Sequence, residues 1–144
     1  MNTNRDVAND LSNRIIGCAL LVSNKLGTGF LEKVYENALA YELRKAGLTV
    51  QQHNVAVHYD DVVVGVYTAD LLVENVVLVE LKAVQALDAF HKAQCMNYLK
   101  ATGLWLCLLL NFGRSRLEIK RLINGQQSAI VSFSRSRRPA CRAV

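Results

Sequence analysis

At 144 residues the chain is long enough for one domain with a substantial core. It is 51% hydrophobic and only 20% charged, which excludes a disordered polypeptide. The net charge of +5 leans on Arg135, Arg137, Arg138 and Arg142; without these, 13 basic residues face 12 acidic ones, so the body is near neutral and the basic character belongs to a tail.

Such a tail suits phosphates through counterion release, and equally suits a solvated terminus. The longest apolar run, Leu104 to Leu110, is too short to span a bilayer. Met1 to Asp10 is polar and carries acids, unlike a secretory signal, so the expected location is the cytoplasm. Cys18, Cys95, Cys107 and Cys141 form no C-x-x-C pair, and buried thiols plus one tail thiol are expected rather than a zinc or iron–sulfur site.

From Val7 to Leu26, apolar residues recur at helical spacing (Val7, Leu11, Ile15, Ala19, Val22, Leu26), predicting an amphipathic helix that Gly27-Thr28-Gly29 breaks. A second helix is expected over Leu31–Ala46, with Leu31, Val34, Leu39 and Leu43 in its core face and Gly47 at its end. Val50–Tyr59 alternates as a strand, Asp60-Asp61 turns, and Val62–Val73 forms a second strand. Glu74-Asn75 turns into a third, Val76–Lys82. These strands are apolar on both faces, so both sides of the sheet should be covered. A third helix follows over Ala86–Ala101, then a buried strand within Leu104–Asn111 and an edge strand over Arg116–Ile123. Asn124-Gly125 is read as a turn into a short strand over Ala129–Phe133. The order is ααβββαββ, an α/β sandwich with a mixed sheet flanked by helices, in one domain spanning 1–134 with a basic, flexible tail over 135–144.

Asp70 closes the second strand, and Glu80-Leu81-Lys82 closes the third. Side chains alternate along a strand, so Glu80 and Lys82 share a face. A two-residue loop would set Asp70 against Val79 and away from Glu80; a three-residue loop centred on Asn75 sets the two acids opposite each other. The expected loop is the odd-numbered one, since Asn tolerates the left-handed backbone it needs. Two buried carboxylates and one ammonium leave a negative charge uncompensated, at a cost of several kcal/mol. A hard divalent cation, Mg2+ or Mn2+, would neutralise it and retain water for hydrolysis, which points to metal-assisted phosphodiester cleavage.

Asp70 and Glu80 are thus the expected metal ligands, with Lys82 orienting the water and offsetting charge on the phosphate. The ordinary alternative is an ion pair at a strand end. Gln94 and Tyr98, four apart on the third helix, share a face, and His91 lies three residues earlier, where ordinary helix contacts are expected of it. Glu32 opens the second helix, where a carboxylate is stabilised by the helix dipole; it is either a capping acid or a third ligand, with Tyr35 and Glu36 on the same face.

Gly29-x-x-Glu32-x-x-Tyr35 resembles the signature of the GxxExxY proteins, a family within the PD-(D/E)XK nuclease-like superfamily. The resemblance runs from about Ile15 to Ile123. It takes in Tyr67-Thr-Ala-Asp70-Leu-Leu-Val73, Val79-Glu80-Leu-Lys82-Ala83, His91-x-x-Gln94-x-x-x-Tyr98-Leu99 and Asn111-Phe112-Gly113. It implies a restriction-endonuclease-like fold and Mg2+-dependent cleavage of DNA. Asp70, Glu80 and Lys82 match the acid and (D/E)-x-K elements, Glu32 the acid on the helix before the sheet, and Gln94-x-x-x-Tyr98 the Q-x-x-x-Y motif of RecB-like exonucleases. Ala69 stands where the superfamily name has proline.

The expected function is therefore a metal-dependent nuclease acting on DNA, set against a non-catalytic nucleic-acid- or protein-binding module of the same fold, or a different hydrolase using the same metal constellation. Catalysis falls to Asp70, Glu80, Lys82 and Gln94, and the metal to Glu32, Asp70 and Glu80. Tyr35, Tyr98, Lys92 and Lys100 are the expected supporting or nucleic-acid-binding residues. No membrane partner is expected, and a module this small is expected to dimerise, to join a partner protein, or to cut with little sequence preference.

Overall fold

Apolar residues at helical spacing bury one stripe of α1 (Asn4–Leu26), with Leu11, Ile15, Ala19 and Val22 against the sheet. The structure, a computed structural model, describes residues 4–125. The chain continues through α2 (Glu32–Lys45), β1 (Val50–Tyr59), β2 (Val62–Val73), β3 (Val77–Lys82), α3 (Ala89–Thr102), β4 (Leu106–Asn111) and β5 (Glu118–Ile123). The element order is the expected ααβββαββ. The strand proposed over 129–133 and the tail over 135–144 lie outside the described residues.

The strands form one sheet in the order β1-β2-β3-β4-β5. Each neighbouring pair is antiparallel except β3 and β4, which run parallel and are joined by the α3 crossover such a pair requires. The two faces carry separate cores. Val77, Val79 and Leu81 of β3 join Leu71, Leu106, Leu108 and Leu110 under α1 and α2. Leu78, Cys107 and Leu109 join Cys95, Tyr98 and Leu99 of α3 on the other side. Strands that are apolar on both faces are thus covered on both faces, and Glu80 and Lys82 share the Leu78 side, toward α3.

Three local details depart from the sequence reading. Leu31 and Val34 are exposed, and Tyr35 is buried in their place beside Leu39 and Leu43, because α2 is rotated to set its Tyr35 stripe on the sheet. Val7 is likewise exposed. α3 begins at Ala89 rather than Ala86, since the Asp88 carboxylate accepts the His91 N–H (3.1 Å) while His91 Nδ1 accepts the Asp88 N–H (3.2 Å). That capping box settles the helix start, and Leu87 packs against the α3-side core instead of helical neighbours.

Tyr35 ties the α1–α2 connection to the sheet. Its ring stacks on Phe112, just past β4, with centroids 4.8 Å apart. Its hydroxyl donates to the Gly27 carbonyl (2.6 Å) and accepts the Phe30 N–H (3.2 Å). Gly27 and Gly29 both have positive φ (70° and 103°), the conformation this tight connection needs. Tyr35→Phe keeps the ring and loses both hydrogen bonds. It should lower unfolding free energy by about 1 kcal/mol, read from urea denaturation, and leave the far-ultraviolet circular dichroism unchanged.

Candidate active site

The site is built where β2 and β3 part. Glu74 and Asn75 both adopt positive φ (54° and 56°), and the strands resume pairing at Val73 with Val77, so the connection is the three-residue loop. Pairing continues through Leu72 with Leu78 and Leu71 with Val79, and that register extended by one step sets Asp70 opposite Glu80. There the ladder stops. The Leu81 N–H, which would otherwise seek a main-chain acceptor on β2, donates to the Asp70 carboxylate at 2.6 Å.

A bulge sharpens the fork. β1 pairs Gln51 with Leu72 and His53 with Ala69, leaving Asp70 and Leu71 together opposite Gln52. An extra residue in one strand bends it and re-aims its side chains, here at the candidate acid. Gln52 in turn reaches α2, donating through Nε2 to Glu36 Oε2 (2.6 Å) and Asn37 Oδ1 (3.0 Å).

Electrostatically the site is short of positive charge. Glu80 is 4% exposed. Lys82 Nζ lies 3.7 Å from its Oε2, and its buried Oε1 has no hydrogen-bond partner. Burial first, and the nearby Asp70 second, push the Glu80 carboxyl up to about 9 against the partial relief of Lys82. Burial likewise pushes Asp70 up to about 6, opposed by the Leu81 hydrogen bond and reinforced by Glu36 and Glu32. Lys82 Nζ also donates to Gln94 Oε1 at 3.2 Å, so Gln94 holds the ammonium beside the acids.

The structure therefore brings together Asp70, Glu80, Lys82 and Gln94. Glu32 is different: it is exposed at the first residue of α2, and among the described residues no three acidic, histidine or cysteine side chains form a metal-binding group. The three-ligand set of Glu32, Asp70 and Glu80 is not assembled: Glu32 shares the face of Tyr35 and Glu36 but stands at the helix's first residue, where it is exposed. Glu36, one turn on, is turned inward. Its carboxylate is buried, takes Lys33 Nζ at 3.1 Å as well as Gln52, and acts on Asp70 more strongly than Glu32 does. The sequence places Glu36 on the face of Glu32 and Tyr35 but gives it no role.

Tyr35 and Tyr98 are both buried, so they support the fold and do not present a surface to nucleic acid. Lys92 and Lys100 are exposed on α3. Asn111, which the sequence offers within Asn111-Phe112-Gly113 without a role, is fully buried at the end of β4. Its side chain accepts the N–H groups of Val84 and Gly113 (both 2.9 Å) and donates to the Val84 carbonyl (2.9 Å) and Glu118 Oε1 (3.1 Å). The Phe112 N–H donates to the Lys82 carbonyl at 2.8 Å. A Cβ on Gly113 would lie 2.3 Å from the Val84 oxygen. Asn111-Phe112-Gly113 thus clamps the chain as it leaves Lys82, and only glycine fits its last position.

Residues 9–122 match the PD-(D/E)XK nuclease superfamily, and the chain belongs to that superfamily. Its function is accordingly of the nuclease type, its substrate class nucleic acid, and its fold restriction-endonuclease-like; proteins of the superfamily generally use divalent metal ions. The crystal structure of an alkaline exonuclease (LHK-Exo) from Laribacter hongkongensis is similar, with 16% sequence identity and a TM-score of 0.49 over 90% of this chain and 78% of that one. No curated protein matches the sequence. Among the described residues no helix is long and apolar enough to cross a membrane.

Both raised carboxyls make the metal-free protein pH-sensitive. In the unfolded chain they lose their protons near 3.8 and 4.5, whereas in the folded state they retain them to about 6 and about 9. Between those limits the native state binds more protons, so stability falls as pH rises. Thermal unfolding in EDTA from about pH 5 to about pH 9 should show this decline, and Glu80→Gln should flatten most of it.

Proposed function

We propose that the chain is a Mg2+- or Mn2+-dependent nuclease that hydrolyses phosphodiester bonds of DNA. The observation that carries this reading is the buried, partnerless Glu80 Oε1 beside Asp70, with a single lysine to offset both acids. Uncompensated hard oxygens in a low-dielectric setting fit a hard divalent cation. Asp70 and Glu80 would hold it, and when bound it supplies Lewis acidity toward the phosphate and neutralises the acid pair.

The remaining roles belong to the chain itself. Lys82, about one-sixth exposed, holds its ammonium between Glu80 and Gln94. There it stabilises charge developing on the phosphoryl oxygens as water adds and the ester oxygen leaves. Gln94 fixes the ammonium's direction without adding charge, and Asn111 fixes the backbone from which Lys82 projects. Glu36 adds negative potential on the Asp70 side. DNA is preferred among nucleic acids because Gln94-x-x-x-Tyr98 resembles the RecB-like motif. The Gly29-x-x-Glu32-x-x-Tyr35 signature supports assignment to the GxxExxY proteins. The reading also includes a cytoplasmic location, a single domain over 1–134, and action as a homodimer or with a partner protein.

Metal binding and cleavage are separate measurements. Mn2+ should raise the melting temperature of the wild type and not of Asp70→Ala or Glu80→Ala. Linear, nicked, branched and single-stranded DNA should be cut by the wild type in Mg2+ or Mn2+. Lys82→Ala should lose at least about a hundredfold in rate while keeping the metal-induced thermal shift. Equal shifts in wild type and both acid variants would defeat the metal assignment.

A further inference from the structure

The edge of the sheet that carries the site is flanked by exposed apolar side chains on both sides. Lys82 and Asn111 end the parallel strands β3 and β4 there, in register with each other. On the α3 side, Phe90 is 70% exposed in the first turn of the helix, four residues before Gln94 and therefore on its face. The Asp88–His91 capping box fixes the backbone from which Phe90 projects, and its ring meets the His91 ring edge-on at 6.2 Å. On the α2 side, Phe30 is 46% and Leu31 79% exposed immediately before Glu32, whose charge reaches Asp70. Phe30 is fixed as well, through its N–H on the Tyr35 hydroxyl and an edge-to-face contact with the Tyr35 ring. Tyr35 itself stacks on Phe112, one residue past Asn111. Both apolar walls therefore belong to the same edge as the acids.

Scattered exposed hydrophobics need no explanation, but rigid ones bordering a reaction site do. The charges beside them bear on what the walls receive. Among the described residues Glu32, Glu36, Asp70, Glu80, Asp88 and Glu118 are set against Lys33, Lys82, Lys92, Arg114 and Arg116, so the edge carries no net positive charge to attract the paired phosphate rails of a duplex. Bases freed from pairing present π-faces, and aromatic side chains bind these without regard to sequence.

We infer that Phe90 is a stacking platform for an unpaired nucleobase next to the scissile phosphate, which makes single-stranded nucleic acid, or the unpaired end of a duplex, the substrate class of this site. Phe30 and Leu31 form the opposite wall. The inference rests on the nuclease reading above for the position of the phosphate, and the platform itself can be tested without cleavage.

Binding of the full chain to a fluorescent oligothymidylate and to a blunt duplex of equal length is measured by anisotropy in EDTA, where no metal supports cutting. The wild type should prefer the single strand. Phe90→Ala should weaken single-strand binding roughly tenfold and Phe90→Trp should preserve it, with the weak duplex binding and the melting temperature unchanged in both variants. In Mg2+ the same Phe90→Ala change should raise KM for single-stranded substrate and leave kcat within about twofold.

Equal affinity of wild type and Phe90→Ala for the single strand overturns the platform, as does an equal loss on duplex. A wild-type dimer that becomes monomeric in Phe90→Ala also overturns it, because the ring then covers a second copy of the chain. Loss of single-strand binding in Phe90→Ala without metal-dependent cleavage of any DNA by the wild type keeps the platform and removes the nuclease reading. Metal-dependent cleavage unaffected by Phe90→Ala does the reverse.

Discussion

Two carboxylates share a poorly solvated position with one ammonium, and the architecture around them serves to keep them there. Left in water, Asp70 and Glu80 would separate and hydrate. In the protein, the Leu/Val layers on both faces of the sheet set their spacing, because moving either strand would expose buried apolar surface. The two cores are what enforce an arrangement that the charges alone would avoid. Such local conflict, supported by consistent packing elsewhere, is a common mark of a reaction site.

The fork between β2 and β3 gives this arrangement its geometry. A continuous antiparallel ladder would have used the Leu81 N–H in main-chain pairing. The bulge at Asp70 and Leu71 ends that pairing, and a side-chain carboxylate takes over the donor. One oxygen of Asp70 is thereby directed, while the Glu80 oxygen Oε1 keeps its lone pairs uncommitted. Across the parallel pair, Asn111 satisfies both main-chain groups of Val84 and so fixes where the chain turns away from Lys82. Lys82 and Asn111 stand at the carboxyl ends of the parallel strands, where open α/β sheets characteristically place their ligands.

Charge distribution separates reaction from recognition. The described body is close to neutral and the edge that carries Asp70 and Glu80 has no excess of basic side chains among the described residues, so attraction of a polyanion does not come from net charge around it. Contacts near the site must then come from shape and stacking, or from a cation that reverses the local sign. The four arginines beyond residue 134 account for most of the net positive charge of the chain, and in sequence they lie far from Asp70, Glu80 and Lys82.

Much of this was legible in the amino-acid order, because it depends on short-range regularities. Periodicity, continuous apolar runs and turn residues together marked the eight described elements, and a left-handed-tolerant Asn between two apolar runs was enough to predict the loop that aligns Asp70 with Glu80. Lys82 followed from strand alternation, and Gln94 from its place on the helix after the strand. What only the tertiary structure decided were rotations and meetings between distant segments. The seating of α2 on the sheet, with Tyr35 stacked on Phe112 some 77 residues away, buries Glu36, while Glu32 on the same face stays exposed at the helix's first residue. Likewise the Asn111 clamp exists only once β4 lies beside β3, and the sharing of one edge by Phe90 and Phe30 requires helices on both sides of the sheet. Local propensity acts over a few residues along the chain, whereas these placements are determined by which buried surfaces pack together across it.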